Sequence, residues 1–120
     1  ALKKKNPNIQ AVAVEPENSA VLSGQKPGSH KIQGMGAGFI PDVLDPDIID
    51  QIVRVNEDES FKITKRLVRE EGIFVGMSAG AAILAALNVA EEPKNAGKNI
   101  VVILPDTGTR YLSNENLFTE

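Results

Sequence analysis

EEGIFVGMSAGAAILAALNVA, residues 70–90, is the segment that decides the fold. Ile73-Phe74-Val75 is a short apolar run of the kind a buried strand shows. Ser78 opens a stretch made almost entirely of Ala, Ile and Leu, which predicts a buried helix over Ser78 to Glu92. The turn between them is Gly76-Met77-Ser78-Ala79-Gly80. Small residues there let helix and strand pack closely, and they also leave a space that something else can occupy. Ser78 reads in two ways. As an N-cap its hydroxyl accepts from a backbone N–H two or three residues on. The same placement puts a hydroxyl at the positive end of a helix, which suits an anion or a neutral acceptor and disfavours a cation. An unprotonated heteroaromatic nitrogen fits that description, with Gly76 and Gly80 letting a flat ring approach.

Outward from this segment, strand and helix patterns alternate. Ile9 to Glu15 is a strand pattern closed by Pro16, apolar enough to be covered on both faces. Glu17 to Leu22 and Asp45 to Asp50 predict short helices, and Gln51 to Val55 a second strand. Asn56 is a good N-cap with Glu59 as its capping-box partner. The helix behind it places Phe61, Thr64, Leu67 and Val68 on one face and stops at Gly72. Pro93 to Gly97 is a loop and Asn99 to Leu104 a last strand. The alternation predicts an α/β fold with a mostly parallel sheet and flanking helices. Such sheets hold ligands at the carboxyl ends of their strands. Ser78 lies at one such end, and Pro105-Asp106-Thr107-Gly108 at another.

Regular structure fails between Ser23 and Pro41, where SGQKPGSHKIQGMGAGFIP carries five glycines, two prolines and the only histidine. An irregular stretch this long in a compact domain is functional or disordered. Ile32, Met35, Phe39 and Ile40 argue against disorder. Gly34-Met35-Gly36-Ala37-Gly38 lacks the preceding strand of a dinucleotide fingerprint and is equally readable as a tight turn.

Composition excludes several roles. A length of 120 residues suits one domain. A net charge of -3 gives no support to nucleic-acid binding, and Lys3-Lys4-Lys5 reads as a solvated helix end. No apolar run approaches the ~20 residues of a membrane span. The absence of cysteine rules out disulfides and thiolate metal sites and fits a reducing, cytoplasmic location. A lone His30 offers no metal site, and no nucleophile–base pair can be read from spacing. The opening ALKKKNPN reads as the last turn of a helix broken at Asn6-Pro7, so the 120 residues are expected to be one α/β segment of something longer.

VEPENSAVLSG (14–24), KPGSHKIQGMGAGFIP (26–41), EEGIFVGMSAGAA (70–82) and NIVVILPDTGTRYL (99–112) together resemble the carboxy-terminal part of the cysteine synthases, or O-acetylserine sulfhydrylases. These are pyridoxal-phosphate (PLP) enzymes of fold type II, the tryptophan-synthase-β type. The segments occur in family order across nearly the whole chain, and HKIQGMGAGFIP is the most specific. The resemblance implies that Ser78 bonds the pyridine nitrogen of PLP. It implies that Gly76 makes room for the ring, and that Gly34 and Gly36 border the cleft through their backbone. It makes Lys26, His30 and Lys31 a contact for the carboxy-terminal tail of serine acetyltransferase. It also implies a homodimer that forms cysteine and acetate from O-acetylserine and sulfide. Ser78-Ala79 departs from the family's paired serines towards the related cystathionine β-synthases, whereas Gln33 and Ala37-Gly38 favour cysteine synthase. The alternatives are a cystathionine β-synthase-like enzyme or an O-phosphoserine sulfhydrylase, and a non-catalytic module that binds the tail. The family's Schiff-base lysine, its substrate loop and its phosphate cup have no match in these residues. The chain is therefore expected to be the carboxy-terminal part of a two-domain enzyme, inactive alone.

Overall fold

Val12–Pro16 (β1) and Gln51–Val55 (β2) pair in parallel, with Val12 opposite Gln51, Val14 opposite Val53 and Pro16 opposite Val55. The computed structural model describes residues 1–113. A short helix, Leu2–Lys5 (α1), precedes the sheet, and two 15-residue helices, Glu57–Glu71 (α2) and Met77–Glu91 (α3), follow it. The architecture is α/β, as the alternation predicts.

The sequence dictates α2 most directly. The Asn56 side chain accepts from the N–H groups of Asp58 and Glu59, and Glu57, Asp58 and Glu59 place negative charge on the positive helix end. Gly72 ends the helix in the left-handed region, φ 68°, where a side chain is disfavoured. Of the face expected to turn inward, Phe61 and Thr64 are buried, joined by Ser60, while Leu67 and Val68 are half-buried.

Helix α3 is apolar on every side and lies across α2 and the sheet. The core is Ile32, Val55, Phe61, Met77, Ala81 and Ala85, with Val14, Met35, Val53, Leu84 and Tyr111 packed around it. The two helices meet most closely at Gly80. A Cβ there would stand 2.5 Å from the Ser60 carbonyl and 3.0 Å from the Thr64 Cβ, and deep inside the Thr64 hydroxyl. Gly80 therefore serves helix packing and faces α2, not an approaching ring.

The connection from β1 to β2 contains no α-helix. The expected helix at Glu17 to Leu22 is a single 3₁₀ turn, Glu17–Ser19, and that at Asp45 to Asp50 is another, Pro46–Ile48. Each has only one turn's worth of hydrogen bonds to set against ordering the chain, too little to propagate an α-helix. Two expected strands are also absent. Of Ile73 to Val75 only Val75 pairs, in an antiparallel bridge to Thr107. Asn99 to Leu104 has no regular structure and no pairing, with Val101 87% and Ile103 75% exposed. A strand needs a neighbour for its N–H and C=O groups, and none of the described residues lies alongside. Lys3 is not merely solvated: its ammonium lies 2.5 Å from the Asp50 carboxylate, which also accepts from the Ala11 N–H. Those two contacts hold the Asp50 carboxyl below the ordinary carboxylate value.

The Gly80 approach yields a stability test. Gly80→Ala should destabilise the fold by about 2 kcal/mol despite alanine's better helix propensity, because overpacking against backbone cannot be relieved by a rotamer change. A urea denaturation midpoint at or above that of the parent would show that α2 and α3 are not in register at Gly80.

Candidate functional site

Ser78 does not cap its helix. The first bond along α3 runs from the Gly80 N–H to the Gly76 carbonyl at 3.3 Å, so the cap is Gly76, with extended backbone and no side-chain cap. Ser78 sits two residues further in, 7% exposed, and its hydroxyl has no hydrogen-bond partner among the described residues. Of the two readings open in the sequence, the N-cap is the one this geometry removes. The hydroxyl of a nearly buried serine at the positive end of a helix is left free to meet another partner.

The glycine loop comes to this serine from 44 positions away. A Cβ built on Gly34 would meet the Ser78 Oγ at 3.3 Å and its Cβ at 3.6 Å. Ile32 is 1% exposed and pins the loop into the core, while Met35 packs at the core's edge. Phe39 and Ile40 are exposed. Gly34, Gly36 and Gly38 have φ of 92°, 65° and 83°, so GMGAG is no plain tight turn: all three glycines lie in the left-handed region. The path presents backbone where other residues would present side chains.

Four side chains hold this path. The His30 Nε2 lies 2.9 Å from the Gly36 carbonyl, which can only accept, so Nε2 carries the proton. The His30 Nδ1 is buried with no partner among the described residues. The Lys31 N–H donates to the Glu57 carboxylate at the start of α2, and the Gly28 N–H donates to the Ser19 hydroxyl. Glu15, 3% exposed at the end of β1, accepts from the N–H groups of Leu22 and Ser23 and from the Ser23 hydroxyl. The far side of the loop, from Gly34 to Phe39, borders a cleft of about 440 Å³ closed by Val14, Glu15 and Leu22. That volume is within the range of small-molecule sites.

A third segment closes on the turn before α3. The Gly76 N–H donates to the Asp106 carbonyl at 3.4 Å and the Gly108 N–H to the Phe74 carbonyl at 3.2 Å. The direction a Gly76 side chain would take is filled by the Asp106 carboxylate, whose Cγ would be 2.8 Å away, and by the Tyr111 ring. Gly76 is thus glycine because this segment presses on it. The Tyr111 hydroxyl donates to the Asp106 Oδ2, and the Asp106 Oδ1 is buried without a partner among the described residues. The hydrogen bond to Asp106, then burial, raise the Tyr111 phenol above its ordinary value of 10.0. This pair was not visible in the sequence: five residues of spacing in an irregular segment carries no periodicity that would bring them together.

The structure therefore gathers Gly34, Gly76 and Ser78, with Gly36 on the cleft side of the same loop. Lys26 and Lys31 are exposed on the loop's flank and His30 is half-buried beneath it. Among the described residues no cluster of His, Cys, Asp and Glu could hold a metal ion, and no helix is long and apolar enough to cross a membrane.

A hydroxyl without a partner among the described residues thus lies at a helix start, under a loop whose Gly34 leaves open the space a Cβ would fill, and could donate to a neutral ring nitrogen of a cofactor. A model of the family described as "Pyridoxal-phosphate dependent enzyme" matches residues 1–106. Cysteine synthase of Staphylococcus aureus is 53% identical over 112 residues, which are 93% of this chain and 36% of the relative. The crystal structure of cysteine synthase from Entamoeba histolytica superposes with a TM-score of 0.93 at 50% identity, over 96% of this chain and 34% of that one. Isoform 3 of O-acetylserine sulfhydrylase from the same organism gives 0.96 at 48% identity, over 99% and 36%. The chain thus spans about a third of the length of the relatives it matches. It belongs to the pyridoxal-phosphate dependent enzymes.

Proposed function

We propose that this chain serves as the carboxy-terminal part of a two-domain cysteine synthase, which forms cysteine and acetate from O-acetylserine and sulfide. The observation that carries the reading is the hydroxyl of the nearly buried Ser78, without a partner among the described residues and apposed to Gly34. PLP supplies the electron sink for replacement at the β-carbon of an amino acid. This chain's share is to orient the ring and set its charge. Ser78 can donate to the pyridine nitrogen, and the positive end of α3 disfavours a proton there. Gly34 and Gly36 keep the loop thin enough for backbone, not side chains, to border cofactor and substrate. Gly76 acts through the turn it forms.

The residues that would bind the aldehyde and phosphate of PLP have no match here, so the 120 residues alone should make no cysteine. Grafted in place of the matching segment of the Staphylococcus aureus relative, they should. In that chimera Ser78→Ala should lower activity, at a stability cost below the ~1 kcal/mol of a lost cap, because Ser78 caps nothing. Ser78→Asp suits the first turn of a helix and should fold as well as the parent. Its carboxylate would hold the ring nitrogen protonated, shifting the cofactor's absorption and lowering turnover. Full activity with an unchanged spectrum in Ser78→Asp would reject the cofactor reading.

We further propose that the enzyme is a cytoplasmic homodimer and that Lys26 and Lys31 receive the acidic end of a serine acetyltransferase tail. Both lysines are exposed, while His30 between them shapes the loop through Gly36. Replacing both lysines with alanine should weaken tail binding and flatten its salt dependence, since exposed charge contacts are screened. Equal affinity at low and high salt, in both proteins, would leave these lysines as solvated charges.

A further inference from the structure

We propose that Asp106 and Tyr111 are positioning residues, a latch that sets the Gly76 turn and, through it, the place of the Ser78 hydroxyl. The proposal rests on the reading that Ser78 meets the cofactor.

The latch holds the turn through backbone and side chain at once. The antiparallel bridge from Val75 to Thr107, with the Gly76-to-Asp106 and Gly108-to-Phe74 hydrogen bonds, ties the backbone. The space next to the Gly76 Cα is occupied by the Asp106 carboxylate and the Tyr111 ring, so the turn cannot shift towards them without collision. Tyr111 is itself packed on the core cluster, which gives the latch a fixed base. The same close fit recurs at Gly108, where a Cβ would meet the Phe74 ring at 2.6 Å.

The carboxylate's environment is uneven. Its Oδ2 is bound by the Tyr111 hydroxyl, and its Oδ1 is buried without a partner among the described residues. Leaving such an oxygen unpaired is costly and calls for an explanation. Proximity to the start of α3 supplies part of it, since a negative charge is favoured there. A looser aspartate would reach water and satisfy Oδ1, but would no longer press on Gly76. Tyr111 prevents that escape.

Tyr111 is the only tyrosine of a chain without tryptophan, so its ionisation can be followed alone by ultraviolet absorbance. The phenol should titrate above 10.0 in the parent and move down in Asp106→Asn, which keeps an acceptor but removes the charge. The stability that the pair contributes should be present below the unfolded phenol's pKa and be lost as pH rises through the folded one.

The decisive measurement is amide hydrogen exchange in the 120-residue chain without cofactor. Tyr111→Phe keeps the ring and its packing. It should speed exchange at Gly76 and Gly80 by about tenfold, the scale of losing a hydrogen bond to a charged group. Amides in the middle of α2, such as Thr64 and Leu67, should stay within about twofold of the parent. Unchanged exchange at Gly76, or an equal rise throughout α2, would overturn the latch. In the chimera, Tyr111→Phe should lower kcat and add no further loss to Ser78→Ala, because it acts through Ser78. Fully additive losses would overturn the positioning role. If Ser78→Ala alone changed nothing, the cofactor reading would fail and the positioning role with it; the exchange result would still judge the latch itself.

Discussion

Everything at the site depends on how closely α3 approaches α2 at Gly80. The Ser60 carbonyl and the Thr64 side chain occupy the place where any larger residue would put its first carbon. Thr64 is fully buried, and its hydroxyl donates to that same carbonyl at 3.0 Å, so the polar groups at the contact are satisfied within α2. The approach fixes the N-terminal turn of α3 relative to the sheet and leaves Ser78 facing the glycine loop. A wider helix pair would carry Ser78 away from Gly34. The serine's position therefore depends on a contact made elsewhere on its helix, away from the glycine loop.

Around that fixed helix start, the surroundings are built mainly from backbone. The glycine loop offers left-handed glycines anchored by Ile32, and the segment 105–111 offers a carbonyl, a carboxylate and a ring pressed on Gly76. Backbone suits this purpose because it cannot change rotamer. At this turn stand the positive helix end and the Asp106 carboxylate, which presses on Gly76. They act in opposite senses: the helix end disfavours a cation, and the aspartate favours one. The phenol bound to Asp106 takes up part of its hydrogen-bonding capacity and holds it in place.

Much of this was legible residue by residue. Asn56 and Gly72 bound α2 as their chemistry requires, because caps and left-handed glycines act over one turn of chain. The parallel pairing of Gln51 to Val55 with the residues before Pro16 follows from two β-branched, apolar runs separated by a crossover. The segments resembling cysteine synthase singled out Ser78 and Gly34, which the structure lays against each other. The misreadings share one cause. Val101 and Ile103 look like a buried strand, but pairing is a property of two strands, and one segment's apolar pattern does not say whether a neighbour is present. Ser78 looked like a cap because a serine opening an apolar helix does so in most sequences. The turn instead closed one residue earlier still than Met77, on Gly76, because Asp106 and Tyr111 leave room there for no side chain.

By itself, then, the sequence determined the α/β alternation, the bounds of α2 and the family. Each follows from interactions within a few positions of chain, or from motifs that stand in order along it. Only the tertiary structure decided that Gly80 serves a helix contact, that Gly76 caps α3 beneath Asp106, that His30 clamps Gly36, and that Gly34 lies against Ser78 across 44 positions. Those contacts join residues far apart in the chain, and their energies exist only once the core around Ile32, Met77 and Ala81 has brought the segments together.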